Sequence, residues 1–150
     1  MPNRNPTKPR EEDKLQELAR ENQEILVRAT GVFPFDFFPS TVLVTKSKVD
    51  IQQSFLTYTS SSTSFLISDI ARIEVTSGFL FSTLLVRAKM SDKILAKASY
   101  LPKGQANEVQ SVIQGLMIAE NENVNVSRVD AQSVRDATED IGESRDDSLQ

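Results

Sequence analysis

The sequence predicts an α+β fold, mainly β, in which an antiparallel sheet or barrel of six or seven strands is capped by an amphipathic C-terminal helix and preceded by an N-terminal helix. Three observations predict it. Short runs in the middle of the chain alternate apolar with polar residues, brief polar links separate them, and an apolar stripe with helical spacing follows. Consecutive strands joined by short links pair antiparallel, and a following helix can cover their apolar face or end.

Charge divides the 150 residues into three parts. Residues 1–30 contain six basic and six acidic side chains, residues 31–121 are nearly neutral and more apolar, and residues 122–150 contain three basic and eight acidic side chains. We therefore predict a charged N-terminal helical arm, a folded domain over 31–121, and an acidic C-terminal arm that is partly helical or disordered.

The N-terminal arm has the pattern of a helix over residues 10–29. Its apolar residues fall on one face, and Leu15, Leu18 and Ile25 also fit a short heptad repeat with Asn22 at a polar position. Leu15, Leu18 and Ile25 are therefore candidates for a face that contacts a partner helix. The alternative is a helix that docks on its own domain or frays in solvent.

A phenylalanine-rich segment, residues 32–39, precedes the strands. Its four phenylalanines lie around and between two prolines, which restrict the backbone and disfavour a regular helix. We expect an extended segment whose rings pack onto the core. As an exposed patch, the same rings would form a docking surface.

Six strands are predicted after this segment, and their boundaries follow the polar links. They cover residues 41–45, 49–55, 64–68, 70–77, 81–88 and 93–100. The serines at 60–62 are predicted to form a turn, although the threonines beside them could extend both flanking strands. Gly78 is predicted to be a turn residue between the fourth and fifth strands.

Two helices are predicted after the strands. The first carries a buried stripe at positions i, i+3, i+4, i+7 and i+8, formed by Val109, Val112, Ile113, Leu116 and Met117. The second runs from Asp130 to Ser144. It has Asp130 as its N-cap and Val134, Ala137 and Ile141 along one face.

Four short motifs share this order with a known family. They are Ile67-Ser-Asp-Ile70 with Ile73, then Gly78, then Thr83-Leu84 with Val86, and Ile113-Gln-Gly115 in the helix. Over residues 31–121 the chain resembles the pleckstrin-homology-like (PH-like) domains found in bacteria, which implies a seven-stranded barrel closed by a helix. Only six strands are clear, so the seventh would lie at 33–38 or come from splitting the hairpin over 51–67.

The resemblance also suggests a ligand site. In eukaryotic relatives of the fold, basic residues between the first two strands hold inositol phosphates. Lys46 and Lys48 occupy that position in the predicted strand order, and they are the candidate contacts for an anion or a lipid headgroup. The loop lacks arginine, however, and two lysines beside a turn also fit an ordinary solvated loop.

The composition removes most catalytic chemistry. The chain has no cysteine and no histidine, so thiolate nucleophiles, cysteine-ligated metals and the commonest general base are absent. Asp69 and Glu74 fall on opposite faces of a regular strand, which is unsuited to an acid–base pair. We predict that the protein is not an enzyme and uses no cofactor or metal.

A non-enzymatic interaction module, mediating protein–protein contacts or self-association, is the predicted function. The alternative is peripheral membrane or anionic-ligand binding through the first inter-strand loop. A net charge of −4 disfavours nucleic-acid binding. No signal-peptide or transmembrane pattern is present, which predicts a cytoplasmic protein. A basic group, Arg87, Lys89, Lys93 and Lys97, could receive the acidic arm of the same chain or of a neighbour.

Overall fold

The computed structural model describes residues 8–21, 23–55, 59–126 and 129–147. Its elements are α1 (Lys8–Glu21), β1 (Ile25–Thr30), β2 (Ser40–Thr45), β3 (Lys48–Ser54), β4 (Ser60–Leu66), a 3-10 turn (Ile67–Asp69), β5 (Ile70–Ser77), β6 (Phe81–Ala88), β7 (Ile94–Pro102), α2 (Lys103–Asn121) and α3 (Ala131–Asp147). Neighbouring strands pair antiparallel in two sheets, ordered β1-β2-β3-β4 and β5-β6-β7.

The α+β prediction is confirmed, with a helix packed on antiparallel strands. Inward residues of both sheets, such as Val42 and Leu84, are fully buried, and so are Val112 and Ile113 on the predicted stripe of α2. All six predicted strands exist, with ends shifted by a few residues. The serines predicted to form a turn belong to β4, and residues 67–69 form a 3-10 turn.

The predicted helix over residues 10–29 is wrong in its second half. Helix α1 ends at Glu21, and β1 follows as the seventh strand, paired with β2. A register shift between Ile25 and Val27 turns both Leu26 and Val27 inward, where both are buried. Two consecutive buried residues erase the alternation that marks a strand, so the spacing fitted a helix equally well. The seventh strand lies neither at 33–38 nor within the hairpin over 51–67.

The end of α1 at Glu21 also changes the predicted face for a partner helix. Ile25 lies half-exposed at the start of β1, so it cannot share a helix face with Leu15 and Leu18. Those two leucines lie on α1, and each exposes at least half of its side chain. A partner for α1 stays a prediction that rests on Leu15 and Leu18 alone.

The acidic C-terminal arm contains α3, which runs antiparallel to α2 at very close range. A Cβ added to Gly115 of α2 would lie 2.1 Å from the carbonyl oxygen of Thr138. On α3, a Cβ at Gly142 would lie 2.2 Å from the carbonyl oxygen of Ser111. Two glycines therefore let the helix backbones touch. An ion pair between Arg135 and Glu108 joins the same helices.

The N-cap of α3 was predicted correctly, but its buried face was not. Asp130 accepts a hydrogen bond from the backbone N–H of Ser133 at 3.0 Å. Val134, Thr138 and Gly142 face inward. Ala137 and Ile141, which were predicted to share the buried face with Val134, are exposed. Small residues rather than apolar ones form the contact face, because the helices approach so closely. The core, which includes Val134 and all of the inward side of β1, extends beyond residues 31–121 at both ends.

Replacing either contact glycine by alanine should displace α3. We expect Gly115→Ala to lower the free energy of unfolding by at least about 2 kcal/mol, because the new methyl group meets backbone that has no rotamer to change. Gly104→Ala is the matched control. It lies on the same helix with no atom within 4 Å, and alanine there should be neutral or stabilising by up to about 1 kcal/mol. Urea denaturation of both variants tests the contact, and equal effects would contradict it.

The cap of α3 should fail in acid. Hydrogen bonds from the Ser133 side chain and then from its backbone hold the pKa of Asp130 below the ordinary 3.8. Because the pKa is depressed in the folded state, the ionised cap stabilises the fold at any pH above the ordinary pKa. This stabilisation is lost as the pH falls through the pKa of Asp130 in the folded state. NMR shifts of the first turn of α3 should report fraying below about pH 3.8.

Asp130→Asn supplies the control for that titration. Asparagine keeps an oxygen that can accept the Ser133 N–H but does not ionise. The first turn should therefore lose this part of its acid response. The same response in both proteins would assign the fraying to other carboxylates of α3.

Candidate functional site

The buried core of this protein contains no aromatic side chain among the described residues. Its apolar members are leucine, isoleucine, valine and alanine only. All eight phenylalanines are described, and each is partly or largely exposed. Phenylalanine is among the residues most often buried in proteins, so this distribution needs an explanation.

Seven of the eight phenylalanines gather at one end of the two sheets. Two links between strands, residues 31–39 and the turn over 78–80, meet there with Phe55, which follows the end of β3. Rings bridge these links, with centroids 5.0 Å apart for Phe35 and Phe81 and 5.7 Å apart for Phe38 and Phe55. We call this surface the aromatic end. It consists of Phe33, Phe35, Phe37, Phe38, Phe55, Phe79, Leu80, Phe81 and Tyr100.

Backbone hydrogen bonds hold the link over 31–39 in place. The N–H of Gly31 donates to Ser40 at 2.9 Å, and that of Val32 donates to the carbonyl of Tyr100 at 3.1 Å, which ties the link to β7. Inside it, the Asp36 carboxylate accepts the N–H of Phe38 at 3.0 Å, as in an Asx turn. The rings are thus presented by an ordered backbone.

The expectation that these rings pack onto the core is wrong. Phe33 and Phe37 expose 68% and 64% of their surface, and Phe79 at the tip of the neighbouring turn exposes 94%. The buried core is already built from aliphatic side chains. The link was also expected to be extended, but it turns at residues 33–35, where the N–H of Asp36 donates to the carbonyl of Val32 at 3.1 Å. The rings form the exposed patch that was the stated alternative. The contributions of Phe55, Phe79, Leu80 and Tyr100 to this patch were not predicted.

The aromatic end is almost free of charge. Within the described residues 31–42, 52–55, 59–63, 75–86 and 98–102, which hold its side chains and the strand ends below them, Asp36 is the sole charged residue. Serine and threonine supply most of the other polar groups. Lys103, the first residue of α2, is the nearest basic residue along the chain. The sequence already shows that these separate links lack charged residues, and this could have indicated that they form one uncharged surface.

Lys46 and Lys48 lie at the opposite end, between β2 and β3. Because β1 had been missed, the true first inter-strand link is residues 31–39, which contain no lysine or arginine. Lys46 is 8% exposed, with its Nζ 3.2 Å from the Glu24 carboxylate and donating to the Val129 carbonyl. The Nζ of Lys48 is 3.0 Å from Asp50. An anion at these lysines would have to displace those partners.

The other charged groups predicted from the sequence are dispersed. Glu74 accepts from Arg72 and Arg87, each Nε at 2.9 Å, so it serves an ion-pair cluster on the sheet. Helix α3 packs on α2 and β1 and makes no comparable contact with β6 or β7 in the described part of the chain. The basic group of Arg87 and its neighbours therefore does not receive α3, the helix that the structure describes in the acidic arm.

No protein-family model matches this sequence. A search of curated proteins found no significant match either. Among the described residues, no helix is both long enough and apolar enough to cross a membrane. In the same residues, no three carboxylates converge as they would around a metal ion.

The exposed rings should contribute little to folding. We expect Phe79→Ser to change the free energy of unfolding by less than about 0.5 kcal/mol, because the ring has almost no contacts to lose. Leu84→Ala, in the middle of β6 and fully buried, should cost about 2–5 kcal/mol. Denaturant titration of both variants measures the difference. A Phe79→Ser cost near that of Leu84→Ala would mean that the aromatic end is part of the folding core.

Proposed function

We propose that this protein is a non-enzymatic interaction module of the PH-like type that associates with a second copy of itself through the aromatic end. The observation that carries the proposal is the concentration of large, exposed and uncharged side chains on adjoining links. The resemblance to PH-like domains is supported by the seven strands in sheets of four and three, followed by a packed helix. Such a fold hosts many functions, so the surface carries the argument.

The apolar area of the aromatic end suits a protein interface. Eight of its side chains are on average a little more than half exposed. At about 150–250 Å² for a buried aromatic residue, they offer roughly 800 Å². One partner in a standard protein–protein interface contributes about 800 Å². Isolated soluble domains rarely leave a contiguous apolar patch of that size in water.

Charge favours protein over lipid as the occupant. Peripheral membrane proteins combine apolar insertion with lysine and arginine that face anionic headgroups. Along the described chain, Lys103 is the basic residue nearest to the aromatic end, and the whole chain has a net charge of −4. The first inter-strand link offers an anionic ligand no cation at all. An uncharged protein surface is the better complement.

A second copy meets this requirement without further assumptions. Two ends that each carry Asp36 as their one charged residue, within the described ranges that form this end, can face each other across a two-fold axis with few like-charge contacts. The arrangement also places the charged groups of each copy, such as Lys46, Arg87 and Asp92, at the remote ends of the dimer. Aromatic residues at its centre are typical of the side chains that dominate binding energy in interfaces.

Sedimentation velocity of the full chain over a range of concentrations tests self-association. We expect a reversible dimer whose dissociation constant rises at least about tenfold on Phe37→Ser with Phe79→Ser, a loss of about 1.4 kcal/mol or more. Added salt should have little effect, because the interface contains almost no charge. The control is Met90→Ser, which removes a side chain that is 100% exposed at the opposite end of the two sheets.

Three outcomes would overturn this proposal. One is a monomer at every concentration, and another is a Met90→Ser variant that dissociates as readily as the double variant. The third is binding of the wild-type chain to neutral phosphatidylcholine vesicles, lost on Phe79→Ser, with no dimer in solution. That last result would assign the aromatic end to a lipid surface.

A further inference from the structure

The strand β4 has an unusual sequence for the edge of a sheet. Its residues, Ser-Ser-Ser-Thr-Ser-Phe-Leu, include no charge and no proline, and all except Phe65 are exposed. It pairs with β3 on one side, and no strand of the described chain pairs with its other side. Seven consecutive uncharged residues at an open edge form a template on which another strand can pair.

The hydrogen-bond register identifies the free backbone groups. Phe55 donates to Thr59, and Ile67 donates to Ser47, which fixes the bonded pairs at both ends of the β3–β4 hairpin. Between them, alternate residues of β4 (61, 63 and 65) bond to β3. The N–H and C=O groups of residues 60, 62, 64 and 66 therefore point away from β3, toward the open edge.

The other three edge strands carry the usual protection against pairing. Strand β1 has a register shift, contains Arg28 and packs on both α2 and α3. Strand β5 has a register shift and contains Arg72 and Glu74. Strand β7 has two register shifts and ends in Pro102. Only β4 pairs with its neighbour in an unbroken register, so its open edge is the one that can accept a regular added strand.

Two clefts separate β4 from the neighbouring part of the other sheet. One of about 460 Å³ is lined by Phe65, Met90 and Leu95 together with polar groups of both sheets. A smaller one of about 130 Å³ is lined by Ser61 and Thr63 of β4 and again by Leu95. A strand beside β4 would point alternate side chains into these clefts, where apolar groups fit the lining.

Each cleft has one lysine at its rim. Lys89 borders the larger cleft, where Asp69 also lies, and Lys97 borders the smaller one. Both lysines are exposed, and neither pairs with a carboxylate in the described part of the chain. An incoming segment with an acidic residue near each lysine would complement the site.

We infer that the open edge of β4 binds an extended segment of a partner protein by strand addition. The segment pairs its backbone with residues 60–66, directs alternate apolar side chains into the two clefts and carries acidic residues toward Lys89 and Lys97. Such β-augmentation gains affinity from main-chain hydrogen bonds and specificity from the side-chain clefts. No side chain of the aromatic end lies on β4, so the inference does not depend on self-association.

The probe is an acetylated peptide in which valine alternates with threonine between two terminal aspartates. Its control has the same sequence with N-methyl groups on the residues whose amides would face β4. We expect the unmethylated peptide to slow the amide exchange of Ser62 and Ser64 in the full chain. It should also bind at least about tenfold more tightly than the methylated one.

Ser62→Pro tests the protein side of the pairing. Proline removes the outward N–H of residue 62 and leaves the bonds between β3 and β4 in place, as edge strands permit. We expect at least about tenfold weaker peptide binding, whereas Ser62→Ala, which keeps the N–H, should bind like the wild type. Lys89→Glu with Lys97→Glu should also weaken binding. Sedimentation of the Ser62→Pro variant should match that of the wild type.

Two results would overturn the inference. Equal binding of the methylated and unmethylated peptides would mean that backbone pairing contributes nothing, and this holds even where Ser62→Pro fails to fold. Chemical-shift changes confined to Phe37, Phe79 and their neighbours would place the peptide on the aromatic end. Neither result bears on the dimer.

Discussion

The aliphatic interior between the two sheets is the constraint on which the rest of this structure depends. The two sheets and α2 enclose a core whose apolar members, among the described residues, are leucine, isoleucine, valine and alanine, with Leu84, Leu101 and Ile113 fully buried. Protein interiors are close-packed, and a ring inserted into such a space would force its neighbours off their preferred rotamers. The phenylalanines lie outside this core, and the short links at one end of the sheets place seven of the eight together.

Residues on both sides of the segment 31–121 also contribute to that interior. Strand β1 supplies Leu26, Val27 and Ala29, and α3 supplies Val134. Lys46 ties these additions together, because its ammonium reaches the carboxylate of Glu24 ahead of β1 and the carbonyl of Val129 ahead of α3. A buried cation with two oxygen partners is stabilised only while both remain, since breaking such a pair leaves an uncompensated charge. Lys46 thus acts as a structural link, and this explains its burial in a turn.

The elements that sequence could predict are those with one buried face and a regular period. The strands around Gly78 and the stripe of α2 belong to this class, and the cap at Asp130 has its own local chemistry. Strand β1 was not predicted because its bulge broke the alternation of apolar and polar residues. The first half of β4 was not predicted because serine and threonine give no apolar signal. The contacts of Gly115 and Gly142 follow from how two helices cross, which no local pattern encodes. The phenylalanine segment marked a special region, but hydrophobicity alone cannot distinguish a buried ring from an exposed one.

The two ends of the sheets differ in character, and the proposed self-association would use the end that takes no part in the core. Roughly 800 Å² of exposed apolar surface corresponds to about 20 kcal/mol of unfavourable hydration at about 25 cal/mol per Å². The proposed association would recover only a fraction of that amount, because two bodies lose translational, rotational and side-chain freedom. The charged groups at the far end, including Arg72, Arg87 and Asp92, keep that end well hydrated. Because the rings take no part in the core, substitutions among them should leave the fold intact, and an effect on the proposed dimer could be measured without loss of stability.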